Sequence, residues 1–230
     1  MRAILLAAGF GTRLRPLTNS IPKCLVPIQG KPLLEIWLER LTEAGVTHFL
    51  INTHYLAEQV ADFIAASRYR EQVTLTYEKE LLGTAGTLLA NLDFLAGQDG
   101  LLIHVDNYCL ADFRAFFQAH HQRPSGCLMT MMTFRADSPS SCGIVELDGR
   151  GVVIGFHEKV QSPPGDLANG AIYLLSGAMT SILAKEYGNV SDFSVEVVTR
   201  FVGHIFSYET QDVFIDIGTP ETYALVTRSP

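Results

Sequence analysis

Charge, cysteine and basic residues are all scarce in this 230-residue chain, and each shortage excludes a class of protein. Only 18% of residues are charged against 47% hydrophobic, which rules out a disordered or fibrous chain: there is ample apolar surface to offset ordering entropy. Lys and Arg number 17 and Asp and Glu 24, a formal net charge of −7. Such a chain is a poor general binder of nucleic acid, whose affinity rests on neutralising phosphates. The four cysteines, Cys24, Cys109, Cys127 and Cys142, lack C-x-x-C spacing and sit in apolar runs, so they read as buried free thiols in a reducing compartment. No apolar stretch approaches the ~18–20 residues of a membrane span. Arg2 and the apolar residues 3–8 run straight into Gly9-Phe10-Gly11-Thr12-Arg13 and read as a buried strand, not a leader. A soluble, cytoplasmic protein with neither membrane nor nucleic acid as partner is expected.

The first third alternates strand and helix patterns. Residues 3–7 form a continuous apolar run, as in a strand covered on both faces. Pro32 suits the first turn of a helix whose Leu33, Ile36, Trp37 and Leu41 share a face, and Gly45 suits its stop. Strands are expected at 48–51, 73–77 and 101–105, with a helix around Val60, Phe63 and Ile64. This order predicts an α/β chain with a mostly parallel sheet and helices on both faces. After about Pro124 the segments 127–134, 143–147, 152–157 and 170–175 are β-rich and separated by turn signals such as Asp148-Gly149. Helices are expected over 193–202 and 220–226, with a late strand over 213–216. A single domain over 1–230 is expected: an α/β core at 1–123, a β-rich insertion at 124–210, and a strand and closing helix at 211–230.

Ligands of open parallel sheets bind beyond the carboxyl ends of the strands. The first such end carries Leu6-Ala7-Ala8-Gly9-Phe10-Gly11-Thr12-Arg13-Leu14-Arg15. Glycines let backbone N–H groups curl toward phosphate oxygens, and an arginine fork fits phosphate geometry. A P-loop is excluded, because Gly30-Lys31 lacks both the earlier glycine and the following hydroxyl residue. A dinucleotide fold is disfavoured: Leu14 stands where a third glycine belongs, and the second strand ends at Ile51-Asn52-Thr53 without a carboxylate. Asp106 and Asp216 each follow an apolar run and project from strand ends, where two carboxylates suit Mg²⁺ accompanied by phosphates and water.

The glycine loop continues into Ile21-Pro22-Lys23-Cys24-Leu25-Val26-Pro27, and this pairing of G-x-G-T-R with a later Pro-Lys resembles the sugar-1-phosphate nucleotidyltransferases. The likeness extends over nearly the whole chain. It implies a Rossmann-like, GT-A-like nucleotidyltransferase fold with a β-rich sugar-binding insertion, acting on an NTP and a sugar 1-phosphate with Mg²⁺. Arg13 and Lys23 match the family's catalytic cations, and Asp106 and Asp216 its metal ligands. Leu6, Ala7, Ala8, Gly9, Gly11 and Thr12 match its nucleotide loop. Glu78, Leu81, Gly83 and Thr84 match its base-reading segment, and Gly143, Glu158, Lys159 and Asn169 its sugar-phosphate pocket. Ala8 and Cys24 depart from the glycine and proline common there, without touching a charged role. Asp192 and Glu196 are open to two readings, sugar contacts or helix caps.

Leu82-Gly83-Thr84-Ala85-Gly86 resembles the guanylyltransferase branch, which acts on mannose or heptose phosphates. Glu78 would accept from the guanine N1–H and amino group. Uridylyltransferases of related length carry similar acidic loops, so the base stays open, with a uridylyl- or thymidylyltransferase as the alternative. A non-catalytic sugar-nucleotide-binding protein on the same fold is the rival reading. The resemblance further implies a role in cell-envelope polysaccharide biosynthesis and a monomer or homodimer. With so short a tail after the last helix, the C-terminal β-helix of some relatives is not expected.

Overall fold

The computed structural model describes residues 1–227. The chain opens with β1 (Arg2–Leu6), the short strands β2 (Pro27–Ile28) and β3 (Lys31–Pro32), α1 (Leu33–Glu43), β4 (His48–Thr53), α2 (Ala57–Ala66) and β5 (Val73–Tyr77). It continues through α3 (Gly83–Ala90), β6 (Gly100–His104), β7 (Asn107–Cys109), α4 (Phe113–His121) and β8 (Met129–Arg135). The remainder comprises β9 (Gly143–Leu147), β10 (Val153–Glu158), β11 (Leu167–Leu175), α5 (Gly177–Glu186), β12 (Ile205–Glu209), β13 (Phe214–Asp216) and α6 (Pro220–Thr227). Two compact units result: one holds Met1–Leu81, Ile103–Ala111 and the chain from Asp212 on, the other Leu82–Leu102 and Asp112–Gln211.

In the first unit β1 and β4 pair in parallel, as do β4 and β5. The residue after β6, Val105, donates its N–H to Leu6 O at 3.2 Å, on the opposite side of β1 from β4. Ala3, Ile4 and Leu5 are fully buried, which is why the run is apolar on both faces rather than alternating. Helix α1 begins one residue after Pro32 and buries Leu33, Leu34, Trp37, Leu38 and Leu41 as a single stripe. Its polar atoms have a second task. Trp37 Nε1 donates to Val105 O at 3.1 Å and Asn107 O at 2.9 Å, and Arg40 Nη2 donates to Leu110 O at 2.7 Å and Ala111 O at 2.9 Å. One helix therefore clamps the turn that carries Asp106.

In the second unit β8 pairs antiparallel with β11 and parallel with β12, while β9 pairs antiparallel with β10 and touches β11. Met129, Met131, Ile144, Ile172, Tyr173 and Phe193 fill its core. Helices α3, α4 and α5 were not anticipated from the sequence, although α4 carries a clear stripe of Phe113, Phe116, Phe117 and His120 behind an Asp112 cap. The expected helix over 193–202 is instead one turn of π-helix followed by a 3₁₀ turn. Asp192 accepts from Val195 N, and Glu196 accepts from the N–H groups of Ser191 and Asp192. Both acids serve as caps of this turn. Trp37 and Phe116 are core residues.

All four cysteines are free: Cys24, Cys109 and Cys127 are buried and Cys142 half-buried. Burial pushes the Cys24 and Cys109 thiols up to about 12, so both stay protonated and inert. Among the described residues no helix is long and apolar enough to cross a membrane.

Buried His120 is hydrogen-bonded through Nδ1 to Thr130 Oγ1 at 2.8 Å, with Asp99 Oδ2 3.4 Å from Nε2. Desolvation, then the charge of Arg123, pushes its pKa down to about 4 against the pull of Asp99. Below the ordinary histidine pKa the unfolded chain takes up a proton that the folded one refuses, so stability falls as pH drops from about 6.5 toward about 4. Urea denaturation across that window should show wild type losing on the order of 2 kcal/mol more than His120→Gln.

Candidate active site

The loop after β1 is shaped by Gly11, which adopts φ +62° and whose hypothetical Cβ would lie 2.9 Å from Thr18 Cγ2 and 3.1 Å from Lys23 Cβ. Thr18 Oγ1 donates to Gly11 O at 2.7 Å, closing the loop. Ala8 is buried, whereas Gly9 has open space around it. Thr12 opens a 3₁₀ turn that carries Arg13. Ala7 N–H donates to Asn52 Oδ1 at 2.7 Å.

Lys23 follows Pro22 in a second 3₁₀ turn and is only 8% exposed. Its ammonium donates to Asp106 Oδ2 at 2.8 Å and lies 3.9 Å from Asp216 Oδ1. Two aspartates remote in sequence meet because β13 pairs antiparallel with β7, setting Asp216 opposite Asn107, and because Ile217 N–H donates to Asp106 O at 3.0 Å. A Cβ on Gly218 would come within 3.1 Å of both Arg13 Nη2 and Asp216 Oδ2, so the guanidinium stands beside the second carboxylate. Four of the residues singled out in the sequence, Arg13, Lys23, Asp106 and Asp216, therefore share one site.

The electrostatics of the pair are asymmetric. Desolvation works to raise Asp106, but the charges of Lys23 and His104 and the Lys23 hydrogen bond outweigh it and hold the carboxyl below its ordinary range. Asp216 is raised, first by desolvation and second by the charge of Asp106, against the pull of Lys23 and Arg13. A like-charged pair pushed apart in this way is what a cation would relieve. The donor set consists of hard carboxylate oxygens, half-exposed and backed by a single lysine. That fits Mg²⁺, which takes one or two carboxylates and keeps other positions for phosphate and water. It does not fit a closed protein cage, and among the described residues no group of three or more acids, histidines or cysteines converges on one point.

Glu78 is buried at the end of β5, with Oε1 accepting from Asn52 Nδ2 at 2.9 Å. Leu81 is exposed. Gly83 begins α3 at φ +78°, where a Cβ would fall 2.3 Å from Ser191 O, and Thr84 Oγ1 accepts from Phe193 N at 2.8 Å. The close approach that demands a glycine at 83 is thus made by the Ser191 backbone.

In the second unit Glu158 pairs across the ladder with Gly143. A Cβ on Gly143 would lie 2.6 Å from Glu158 Oε2 and 2.7 Å from Phe156 Cζ, so only glycine leaves the carboxylate its position. Lys159, at φ +49°, turns away from the strand with its ammonium 3.2 Å from Glu158 Oε1 and mostly exposed. Asn169 sits at a bulge in β11. Its Nδ2 donates to Tyr173 OH at 2.7 Å and its Oδ1 accepts from Ala171 N at 2.9 Å. His157 pairs with Glu146, a surface contact with no link to the cations.

The sequence pattern of the family described as nucleotidyl transferase matches residues 2–229. The chain belongs to that family. Mannose-1-phosphate guanylyltransferase catalytic subunit beta of Danio rerio is 31% identical over 97% of this nucleotidyl transferase and 62% of its own length. A protein named probable mannose-1-phosphate guanylyltransferase 1, from Oryza sativa, is 34% identical over 97% of the chain and 63% of its own. The chain thus spans somewhat over three-fifths of the curated relatives it matches. Among solved structures, HddC of Yersinia pseudotuberculosis complexed with GMP-PN superposes with a TM-score of 0.81 at 26% identity, covering 98% of this chain and 97% of that one. A Bacillus anthracis chain at 22% identity and a TM-score of 0.83 shares the fold.

Sequence reading missed Asn52, the residue that links Ala7 to Glu78. In sequence Asn52 reads only as the place where a dinucleotide fold would carry an acid, and its burial, the decisive signal, is a tertiary property. It also missed Trp37 and Arg40 as supports of the Asp106 turn. In this nucleotidyl transferase Gly11→Ala should cost about 1–2 kcal/mol, from left-handed strain plus the contacts with Thr18 and Lys23, measurable by urea denaturation.

Proposed function

We propose that this protein joins an NTP to a sugar 1-phosphate, releasing pyrophosphate and forming an NDP-sugar. The single observation that carries the reading is Lys23 poised between Asp106 and Asp216, with Arg13 beside them on the glycine loop. A buried cation paired with two half-exposed acids has little structural purpose at a strand end. It suits a triphosphate that brings its own counter-ion.

The sugar phosphate oxygen attacks the α-phosphorus in line, the bond to the β-phosphate bridging oxygen breaks, and pyrophosphate leaves. The nucleophile is anionic near neutral pH and no general base is required. Catalysis is positioning and charge stabilisation. Residues 6–12 cradle the nucleotide, Arg13 binds its phosphates, and Lys23 offsets charge at the reacting phosphorus. Mg²⁺, held by Asp106 and Asp216, would neutralise triphosphate charge when bound. Glu158 accepts from sugar hydroxyls, Lys159 holds the sugar's phosphate, and Gly143 and Asn169 shape that pocket. By the likeness to the family, Glu78, Leu81, Gly83 and Thr84 take roles in recognising the base. The relatives named as mannose-1-phosphate guanylyltransferases, and the neighbour solved with GMP-PN, support GTP with a mannose- or heptose-type 1-phosphate.

Pyrophosphate release should be measured with Mg²⁺ across GTP, UTP, dTTP, CTP and ATP, each paired with several sugar 1-phosphates. The expected result is turnover with GTP. Turnover with UTP or dTTP alone would reassign the base, and clear sugar-nucleotide binding with a silent panel would overturn the enzymatic reading. Lys23→Ala and Asp216→Asn should each lower kcat by roughly 10²–10³ while circular dichroism remains native. Unchanged turnover in either variant would remove that residue from the mechanism.

A further inference from the structure

At the end of β4, the segment Asn52-Thr53-His54-Tyr55 grips two parts of the first unit at once. It holds Glu78 at three points. Asn52 Nδ2 donates to Glu78 Oε1 at 2.9 Å, Glu78 N–H donates to Thr53 O at 2.9 Å, and His54 Nδ1 donates to Glu78 O at 2.8 Å. It also holds the glycine loop. Asn52 Oδ1 accepts from Ala7 N–H at 2.7 Å, and the Phe10 ring lies 5.3 Å from that of His54 and 5.7 Å from that of Tyr55. Tyr55 OH donates to Thr18 O at 3.0 Å, and Thr18 in turn closes on Gly11 O.

Asn52 touches both partners through its own polar atoms, and it is only 4% exposed. A backbone N–H needs an acceptor and a carboxylate needs a donor. A carboxamide supplies one of each in a single plane. Aspartate would offer acceptors only, and leucine of similar size neither. The residue type is therefore dictated by the two groups it joins.

We propose that Asn52 is a positioning residue for the nucleotide: its amide fixes the Glu78 carboxylate against the glycine loop and so sets nucleotide affinity and base discrimination. The inference rests on the function proposed above. It deepens that reading by naming what holds the base-side acid in register with the phosphate-side loop. A phosphate cradle and a base reader on separate strands bind one rigid ligand well only if their spacing is fixed before the ligand arrives.

The test is direct nucleotide binding by calorimetry, with Mg²⁺ and either GTP or UTP, on wild type, Asn52→Asp and Asn52→Leu. Asn52→Asp keeps the acceptor for Ala7 N–H but sets a second acid against Glu78. Asn52→Leu removes both bonds; should it fail to fold, Asn52→Asp carries the measurement. GTP binding is expected to weaken about tenfold or more, the scale of one lost hydrogen bond to a charged group, and the preference between GTP and UTP to narrow. At saturating nucleotide, kcat and the KM for sugar 1-phosphate should stay within about threefold of wild type, a split that a loss of folded protein would not produce. On a Glu78→Gln background, Asn52→Asp should cost less than about threefold further, since its effect runs through the acid already altered. Equal GTP binding by wild type and Asn52→Asp would overturn the inference, as would full additivity with Glu78→Gln. Wild-type protein that binds none of GTP, UTP, dTTP, CTP and ATP would overturn the functional reading itself, a result distinct from equal binding by all variants.

Discussion

The first unit is organised around one ammonium group placed between two carboxylates. Lys23 is nearly buried, and a buried cation is tolerated only when it is paired and hydrogen-bonded. Asp106 provides the close bond and Asp216 the longer contact, so neither acid can be moved without exposing the other to an altered field. The two acids repel as well. That is visible in their opposite shifts, with Asp106 held down largely by Lys23 and Asp216 pushed up by desolvation and its neighbour. Such a cluster stores charge that a phosphate-bound cation can complete.

What surrounds the cluster serves to keep it in place. Trp37 and Arg40, on the buried face of α1, tie down the carbonyls on both sides of Asp106. The β7–β13 pairing brings Asp216 to the same point. Gly11 lets the Arg13 loop pass against Thr18 and Lys23 where any side chain would collide. On the other side of that loop, Asn52 binds Ala7 and Glu78 together. Rigid strands and one helix thus supply the precision, while loops supply the groups.

The second unit uses different means. Its ladder brings Glu158 against Gly143, and the absence of a Cβ there is what leaves room for the carboxylate. The bulge in β11 turns Asn169 toward Tyr173, whose hydroxyl burial pushes up to about 12, so it remains a neutral hydrogen-bonding partner across any ordinary pH. Local irregularities at Lys159, Asn169 and Ala171, rather than regular strand geometry, aim the polar groups.

The order of strands and helices in the first third was legible because apolar runs and glycine stops are local signals, and strands form at Arg2–Leu6, His48–Thr53 and Val73–Tyr77. The charged residues worth singling out were legible too: Arg13 lies in the glycine loop, Asp106 and Asp216 follow apolar strand runs, and Lys23 stands in the Pro-Lys that the family likeness pairs with that loop. Helices α3 and α5 were not: Gly83, Gly86 and Gly177 are glycines that disfavour helix, and the burial of Ala85, Leu88, Met179 and Leu183 overrides them. By itself the sequence determined which chemistry was available and on which elements it lay. Only the tertiary structure decided that Asp106 and Asp216 meet across Lys23, that Gly83 yields to Ser191, and that Asn52 joins Ala7 to Glu78. The reason is physical: propensity and periodicity act over a few residues, whereas these contacts are fixed by strand pairing and burial between segments that no local pattern connects.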